Sequence, residues 1–241
     1  MVIALSIRLF PAYAQQKLQR HAGYQVSTLG ALNVGVYEGA ATIGELKEHG
    51  DFGLGTFEGL EGEMVALNGD FFQIETDGVP IRVNKEARTP FASVVSFSRE
   101  KTLRTSGLMT YAGLQEAIDR QLKTRNLPQA IRIYGVFPFL RVRSVPRQVL
   151  PYPPLAKVVK EQQKVFELHN VRGTLVGFRM PQYMSSLNVM GYHFHFIASD
   201  FKTGGHLLDG QFLNAVVETQ TVRDWQLGLP ETASFAAATL P

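Results

Sequence analysis

The 241-residue sequence contains no cysteine. Disulfide bonds and thiolate metal sites are therefore excluded, and a bound zinc ion would need histidine and carboxylate ligands. The sequence also lacks any run of about 18 apolar residues, so no membrane-spanning helix is predicted. Its 24 Lys and Arg residues against 21 Asp and Glu give a net charge of only +3. This scattered charge does not form a nucleic-acid footprint, so neither a membrane nor a nucleic acid is an expected partner.

Several familiar catalytic signatures are missing as well. The sequence contains no Ser nucleophile elbow and no phosphate loop. Gly53 and Gly55 do not complete a dinucleotide fingerprint, because position 58 is Glu. The hydrophobic fraction of 45% and the charged fraction of 19% are ordinary for a globular protein. The length suits one large domain or two small ones.

The N-terminal residues allow two interpretations. Ala12-Tyr13-Ala14 resembles a signal-peptide cleavage site, but no charge precedes the apolar stretch and Arg8 interrupts it. We interpret this segment as a short N-terminal arm of a cytoplasmic protein. Export, with Ala12-Tyr13-Ala14 as the remnant of a cleavage site, is the alternative.

Three of the six histidines lie within Gly191–Leu208, GYHFHFIASDFKTGGHLL. The aromatic residues and Ile in this segment predict a strand, and residues two apart on a strand share a face. His193 and His195 therefore lie on one face, with Phe194 and Phe196 on the other. The turn formers that follow predict a chain reversal.

An antiparallel hairpin centred on Asp200–Phe201 places His206 opposite His195. Directly opposed residues have Cβ atoms about 4.5–5.5 Å apart, so three imidazoles converge as a three-histidine catalytic zinc site requires. Structural or solvated histidines are the alternative, and a one-residue register slip would send His206 to the other face. Imidazoles also suit Fe, Ni, Co and Cu.

A second hairpin carries an acidic residue on a mainly apolar face. Asn68-Gly69 separates Leu60–Leu67 from Asp70–Glu75, which predicts a type I′ turn. Pairing outward sets Leu67 opposite Asp70, Val65 opposite Phe72 and Glu63 opposite Ile74. An unpaired carboxylate among such residues is costly, so Glu63 needs a cation, a metal or a proton. Alternatively, this end of the hairpin is solvated.

Other elements follow from local signals. Thr42 and Glu45 form a capping box for a short helix that ends at Gly50. The other predicted helices are Thr110–Arg125, Pro154–Lys164 and Glu231–Ala238, and the other predicted strands are Phe91–Ser98, Ala130–Val142, Val165–His169 and Thr174–Arg179, with a turn at Asn170 and Gly173 between the last two. Arg143 follows a predicted strand and either clamps a carboxylate or protects a solvated edge.

Six stretches, taken together and in order, carry a family resemblance: VYEGAATIGELKEHGDFGLGTF (36–57), LEGEMVALNGDFFQ (60–73), TPFA (89–92), RSVPRQ (143–148), GTLVGFRMPQYM (173–184) and GYHFHFI…GGHLLD (191–209). Through these stretches, which span most of the chain, the sequence resembles alpha-acetolactate decarboxylases.

The resemblance implies a zinc site and roles for six residues. The implied metal ligands are His193, His195, His206 and Glu63; the implied catalytic residues are Glu63 and Arg143; the implied substrate-binding residues are Thr56 and Arg143. It does not decide whether Glu63 or Arg143 delivers the proton. Family members usually continue into a tail that supplies another Glu near the metal, and no residue here matches it, because Glu218 and Glu231 do not occupy the motif position.

The implied fold is α+β, with a mixed β-sheet N-terminal domain over residues 1–150 and a smaller β-barrel-like metal-binding domain over 151–241. The N-terminal domain is expected to join its twin in a homodimer. The implied reaction is the zinc-dependent decarboxylation of 2-acetolactate to acetoin, which makes the chain a carboxy-lyase of acetoin and 2,3-butanediol biosynthesis. The alternatives are another three-histidine metalloenzyme, hydrolase or cupin-like, acting on a small polar substrate, and a non-catalytic protein that binds zinc or a small ligand.

Overall fold

The computed structural model describes residues 22–240. Ala12-Tyr13-Ala14 and His21 therefore lie outside the described residues. Within 22–240, no helix has both the length and the apolar character needed to cross a membrane. The strands are, in chain order, β1 (Gly23–Val26), β2 (Ala41–Thr42), β3 (Phe52–Thr56), β4 (Glu63–Leu67), β5 (Asp70–Ile74), β6 (Pro80–Arg82), β7 (Arg88–Thr89), β8 (Ala92–Val95), β9 (Lys101–Arg104), β10 (Leu108–Thr110), β11 (Gln129–Ser144), β12 (Lys164–Met180), β13 (Gly191–Ala198), β14 (Gly204–Thr221) and β15 (Trp225–Gly228).

The helices of the described chain are short. They cover Leu29–Asn33, Ile43–His49, Tyr111–Asp119, Leu155–Gln162 and Ala233–Ala237, with 3-10 turns at Glu58–Leu60 and Gln182–Met184. The molecule is therefore mostly β with few helices. The α+β class that the resemblance implies is confirmed in its mixed sheet and its ring-like antiparallel sheet, but helices form a smaller part than that class suggests.

Two large sheets build the fold, and β2 and β7 pair in a separate two-stranded sheet. The first has seven strands in the order β15-β1-β8-β3-β4-β5-β6 and is mixed, because β15 runs parallel to β1 while the other pairs are antiparallel. The second is antiparallel and closes on itself: β11, β12, β13 and β14 each pair with two neighbours in a ring. Short strands β9 and β10 extend it along β14.

Membership of the sheets does not follow the chain halves. Strand β11, which precedes residue 150, lies in the ring, whereas β15, near the C-terminus, lies in the seven-stranded sheet. The division into domains at residue 150 remains a prediction. Because each sheet takes strands from both halves of the chain, residues from both halves meet where the sheets pack.

Apolar residues fill both the ring and the contact between the sheets. Inside the ring, the Phe137 side chain makes edge-on contacts with Phe196 and Phe212 at centroid distances of 5.8 and 5.6 Å. Between the sheets, Phe52 of the first meets Phe178 of the second in one buried cluster. Burial of this kind is the dominant favourable term in folding.

The hairpin predicted around Asn68-Gly69 is confirmed in its turn and in its pairing. Asn68 and Gly69 both have positive φ, of 54° and 82°, as a type I′ turn requires. All three predicted pairs are present, including Glu63 opposite Ile74. The helix at Ile43–His49 is confirmed too: the side chains and backbones of Thr42 and Glu45 form the reciprocal capping box, and Gly50 follows as the C-cap.

Several predicted elements occur with shifted bounds: β8 within Phe91–Ser98, β11 extending Ala130–Val142, the helix Leu155–Gln162 and the helix Ala233–Ala237. The helix predicted over Thr110–Arg125 ends at Asp119. Tertiary hydrogen bonds explain the early end, because Arg179 bonds both the Asp119 carboxylate and the Arg125 carbonyl.

The turn predicted at Asn170 and Gly173 is wrong. One continuous strand, β12, runs through both residues. Asn170 does have positive φ, of 50°, but it lies opposite Pro138, which interrupts the ladder between β11 and β12. A proline has no N–H to donate, so the irregular residue sits at a break in the hydrogen bonding rather than at a reversal.

Close packing behind the histidines leaves no room for a side chain at Gly177. Gly177 of β12 lies opposite Phe194, and a Cβ atom added to it would approach the His193 carbonyl oxygen to 2.1 Å. Gly177→Ala is expected to lower the free energy of unfolding by about 2 kcal/mol, because backbone must move. In the helix at Ile43–His49, Gly44→Ala meets nothing closer than 3.4 Å. It should raise that free energy by about 0.5 kcal/mol. Urea denaturation of both variants measures these two opposite changes, and similar midpoints for Gly177→Ala and Gly44→Ala would contradict the prediction.

Candidate metal centre and active-site cavity

The histidine hairpin has the predicted register. Strands β13 and β14 pair with His195 opposite His206, and His193 and His195 are both buried. Phe194 and Phe196 face the core inside the ring, so the alternation places the imidazoles outside it. The hairpin thus presents three rings on the face that meets the seven-stranded sheet.

Three ring nitrogens converge at one point. His193 Nε2 lies 3.2 Å from both His195 Nε2 and His206 Nδ1, and the latter two are 3.3 Å apart. Zinc–nitrogen bonds of about 2.0–2.1 Å in tetrahedral geometry place ligand nitrogens about 3.3 Å from each other. The observed triangle therefore fits a three-histidine metal site, and it is a group that can hold a metal ion.

The tautomer of His195 also favours metal binding. Its Nδ1 lies 2.7 Å from the Met64 carbonyl oxygen, which can only accept a hydrogen bond. Nδ1 therefore carries the proton, and the lone pair of Nε2 points at the other two rings. Hydrogen bonds of this kind orient metal-binding histidines in proteins.

The electrostatic surroundings keep the imidazoles neutral. Burial, the neighbouring His195 and the Arg143 guanidinium all lower the pKa of His193 well below its ordinary value. Burial, Arg143 and the two neighbouring rings do the same to the pKa of His206. Burial also lowers the pKa of His195, although the Glu63 carboxylate and the hydrogen bond to Met64 oppose the shift. Neutral imidazole is the form that binds metal ions.

Glu63 and Arg143 lie beside the histidines. Glu63 Oε2 is 3.2 Å from His195 Nε2, and Glu63 Oε1 is 3.2 Å from Arg143 Nη1. The side chains of Glu63 and Arg143 are 7% and 12% exposed, so neither is a solvated surface group. Strand pairing brings Arg143 to the histidines, because Arg143 of β11 lies opposite His206 of β14.

All six residues predicted from the sequence line one cavity of about 80 Å³. Thr56, Glu63, Arg143 and the histidines form its polar part, with Thr56 paired opposite Glu63 between β3 and β4. The remaining lining is mainly apolar: Leu29, Leu32, Leu60, Phe91, Val145, Leu155 and Val189. A cavity of this size, lined by both charged and apolar residues, suits a small anionic molecule that carries alkyl groups.

Sequence reasoning missed the apolar lining. Leu29, Leu155 and Val189 come from two short helices and a loop that are far apart in the chain, and no local pattern connects them. The other acidic candidates are placed elsewhere. Glu218 is buried against Arg132, which its carboxylate bonds at 2.8 Å, and it does not line the cavity.

Comparisons with known proteins agree with this geometry. The family model described as "Alpha-acetolactate decarboxylase" matches residues 24–241. The chain is 45% identical to the alpha-acetolactate decarboxylase of Methanosarcina mazei over 90% of this chain and 75% of that protein. It is also 45% identical to that of Methylococcus capsulatus, over 91% of this chain and 84% of that protein.

A solved structure shows the same fold. The crystal structure of alpha-acetolactate decarboxylase from Bacillus subtilis strain 168 superposes with a TM-score of 0.88 at 38% identity, covering 90% of this chain and 93% of that one. The sequence comparisons and the structural comparison thus each cover about 90% of this chain. The chain belongs to the alpha-acetolactate decarboxylase family.

Proposed function

We propose that this chain decarboxylates 2-acetolactate to acetoin and carbon dioxide. One observation carries the proposal: three imidazole nitrogens spaced 3.2–3.3 Å apart share a cavity with the Glu63–Arg143 pair. The family membership selects the substrate. The small cavity, with its cationic guanidinium and apolar lining, suits a short anionic hydroxy-keto acid.

In this proposal His193, His195 and His206 hold a zinc ion, with Glu63 close enough to serve as a further ligand. The family resemblance implies zinc, and three neutral imidazoles are a donor set that catalytic zinc sites use. When bound, the ion supplies Lewis-acid stabilisation of the negative charge that develops on the substrate oxygens.

Arg143 binds and orients the substrate carboxylate. A guanidinium presents donors in a planar fork that matches a carboxylate, and its partial burial strengthens that contact. Its Nη1 already bonds Glu63 Oε1, so the same group also fixes the Glu63 carboxylate. The substrate carboxylate is thereby held where its bond to carbon can break.

Glu63 supplies the proton that the substrate carbon needs after carbon dioxide leaves. Loss of carbon dioxide leaves the electron pair of the broken bond on the substrate as an enediolate. A proton must then be added to the carbon that carried the carboxylate, forming the C–H bond of acetoin. Glu63, buried between Arg143 and His195, takes up one proton from solvent in each turnover and delivers it to this carbon as a general acid, which returns Glu63 to its carboxylate form.

Arg143→Lys is expected to reduce kcat/KM by about 100-fold, because a lysine keeps the charge but loses the forked geometry. Steady-state acetoin formation measures this effect. Arg141→Lys is the matched control: Arg141 lies two residues away on the same strand, is exposed, and does not line the cavity. Equal losses in the two variants would exclude a specific role for Arg143.

The proposal is tested by incubating the zinc-loaded protein with racemic 2-acetolactate and measuring acetoin and carbon dioxide together. Stoichiometric formation of both is expected. Zinc binding without either product would favour a three-histidine enzyme acting on another small polar molecule, or a protein that only binds zinc.

We further propose that the chain acts as a cytoplasmic homodimer. The support is the family resemblance, which implies that the N-terminal sheet joins its twin. Analytical ultracentrifugation should give about twice the mass of one chain, and a single-chain mass at micromolar concentration would contradict it.

A further inference from the structure

Two buried hydroxyl groups hold the backbone on either side of Glu63. We propose that Thr56 and Ser144 are positioning residues, which act by fixing the Glu63 carboxylate against Arg143 and His195. The inference rests on the proposed function, because it concerns the proton transfer assigned to Glu63. It changes the role of Thr56 from substrate binding to support of a neighbour, and it adds Ser144 to the site.

Thr56 acts on the residue that precedes Glu63. Its Oγ1 donates a hydrogen bond to the Gly62 carbonyl oxygen at 2.7 Å, and the residue is 4% exposed. Gly62 has a φ of +74° and directly precedes β4, which begins at Glu63. The hydroxyl therefore fixes the peptide unit from which the Glu63 side chain departs.

Ser144 acts on the residue opposite Glu63. Its Oγ donates to the Ile74 carbonyl oxygen at 2.7 Å, and Ser144 is fully buried. Ile74 is the direct cross-strand partner of Glu63, and Ser144 directly follows Arg143 on β11. One hydrogen bond thus ties the strand of the arginine to the hairpin of the glutamate across 70 residues of sequence.

A backbone contact completes the connection. The Gly62 N–H donates to the Val145 carbonyl oxygen at 3.0 Å. A Cβ atom on Gly62 would lie 2.4 Å from the Ile74 carbonyl oxygen, so only glycine allows this approach. Together these hydrogen bonds hold the backbones of Glu63 and Arg143 at a fixed separation.

The hydroxyl protons are not free for substrate. A threonine or serine hydroxyl has one proton to donate, and Thr56 and Ser144 each give theirs to a backbone carbonyl. The carboxylate and ketone oxygens of a 2-hydroxy-3-keto acid accept hydrogen bonds but cannot donate them. Thr56, although it lines the cavity, therefore donates its proton to Gly62 and not to a carboxylate or ketone oxygen of the substrate, and Ser144 does not line the cavity at all.

The short contacts of Glu63 make the rate of turnover sensitive to these hydrogen bonds. Glu63 contacts both Arg143 and His195 at 3.2 Å, so a small backbone shift lengthens both. Misplacing a catalytic group by about 1 Å can cost about 100-fold in rate. The two hydroxyls donate to backbone carbonyls and not to the Arg143 guanidinium or the three imidazoles, so their loss should affect kcat more than KM or bound zinc.

The first test compares Thr56→Val, Thr56→Ser and Ser144→Ala in the zinc-loaded protein. Thr56→Val and Ser144→Ala should each lower kcat by about tenfold, with KM and bound zinc unchanged. Thr56→Ser keeps the hydroxyl and should stay within about threefold of the original chain. A rise in KM at constant kcat in Thr56→Val would instead indicate substrate binding and overturn the proposal.

Thr105→Val is the matched control. Thr105 is also buried and its Oγ1 also donates to a backbone carbonyl, that of Ala215, but it does not line the cavity. This variant should lose stability without a change in kcat. A tenfold fall in kcat for Thr105→Val would mean that any lost buried hydroxyl impairs turnover, which contradicts a specific positioning role.

The second test repeats Thr56→Val and Ser144→Ala in a Glu63→Gln background. Because both residues act through Glu63, neither should lower the residual rate of acetoin formation further. A persistent tenfold loss in that background would overturn the proposal.

A double-mutant cycle that measures stability, and therefore needs no turnover, separates this inference from the proposed function. Urea unfolding of Thr56→Val, Glu63→Gln and the double variant should give non-additive midpoints, since Thr56 and Glu63 are coupled through Gly62. Absence of acetoin from the original chain would contradict the proposed function alone, whereas additive midpoints would contradict the positioning role alone.

Discussion

Replacing His193 with alanine is expected to abolish acetoin formation and to release the metal. His193 Nε2 is the nitrogen that lies 3.2 Å from both of its partners, so its removal leaves only two imidazole donors. Loss of an outer hydrogen-bond partner typically costs about 10–100-fold in metal affinity, and loss of a ligand itself should cost more than about 100-fold. Zinc content after dialysis, measured beside acetoin formation, checks both expectations.

His169→Ala is the control for this experiment. His169 is exposed on β12, near Phe139 and away from the cavity. This variant should retain its zinc and its activity. Acetoin production that survives the loss of His193 undiminished would contradict the metal site and the mechanism together.

Replacing Glu63 with glutamine should depress kcat by about 100- to 10,000-fold, the range associated with general acid–base catalysis. Glutamine has the same shape as glutamate but carries no exchangeable carboxyl proton. It can still accept a hydrogen bond from Arg143, so folding and most of the substrate binding should persist. Single-turnover acetoin formation, combined with circular dichroism, separates loss of chemistry from loss of structure.

Glu61→Gln is the matched control. Glu61 is two residues away on the same segment, and its carboxylate bonds Arg147 at 2.8 Å rather than Arg143. This variant should stay near the original rate. Unchanged turnover in Glu63→Gln would remove Glu63 from the mechanism, whichever result Glu61→Gln gives.

The parts of the site that were predictable depend on local geometry. Turn chemistry and the two-residue period of a strand were sufficient to set His195 opposite His206 and Glu63 opposite Ile74. A register slip in either hairpin would have moved the functional side chain into a different environment, so the turn residues carry much of the information.

The parts that were not predictable depend on distant segments. The sequence left Arg143 between a carboxylate clamp and a solvated edge strand. The structure places it in the ring, 3.2 Å from a glutamate 80 residues away. Local patterns contain no information about such a contact. The apolar lining from Leu29, Leu155 and Val189 has the same origin, because three separate segments meet only after the sheets pack.

The errors also have tertiary causes. Asn170 and Gly173 are good turn formers, but β12 is paired on both sides, to β11 and β13, along part of its length. Continuous pairing with β11 on either side of Pro138 outweighs the local preference for a turn. The helix after Thr110 is shortened for a similar reason, since Arg179 binds groups at Asp119 and Arg125 that a longer helix would have rearranged.

Zinc bound per chain and acetoin formed, measured in the same samples, test the central claim most directly. The protein is stripped with a chelator and reloaded with zinc in steps before racemic 2-acetolactate is added. Acetoin formation should be absent from the stripped protein and should rise in proportion to bound zinc up to one ion per chain. Full activity without metal, or no acetoin at one zinc per chain, would contradict the account.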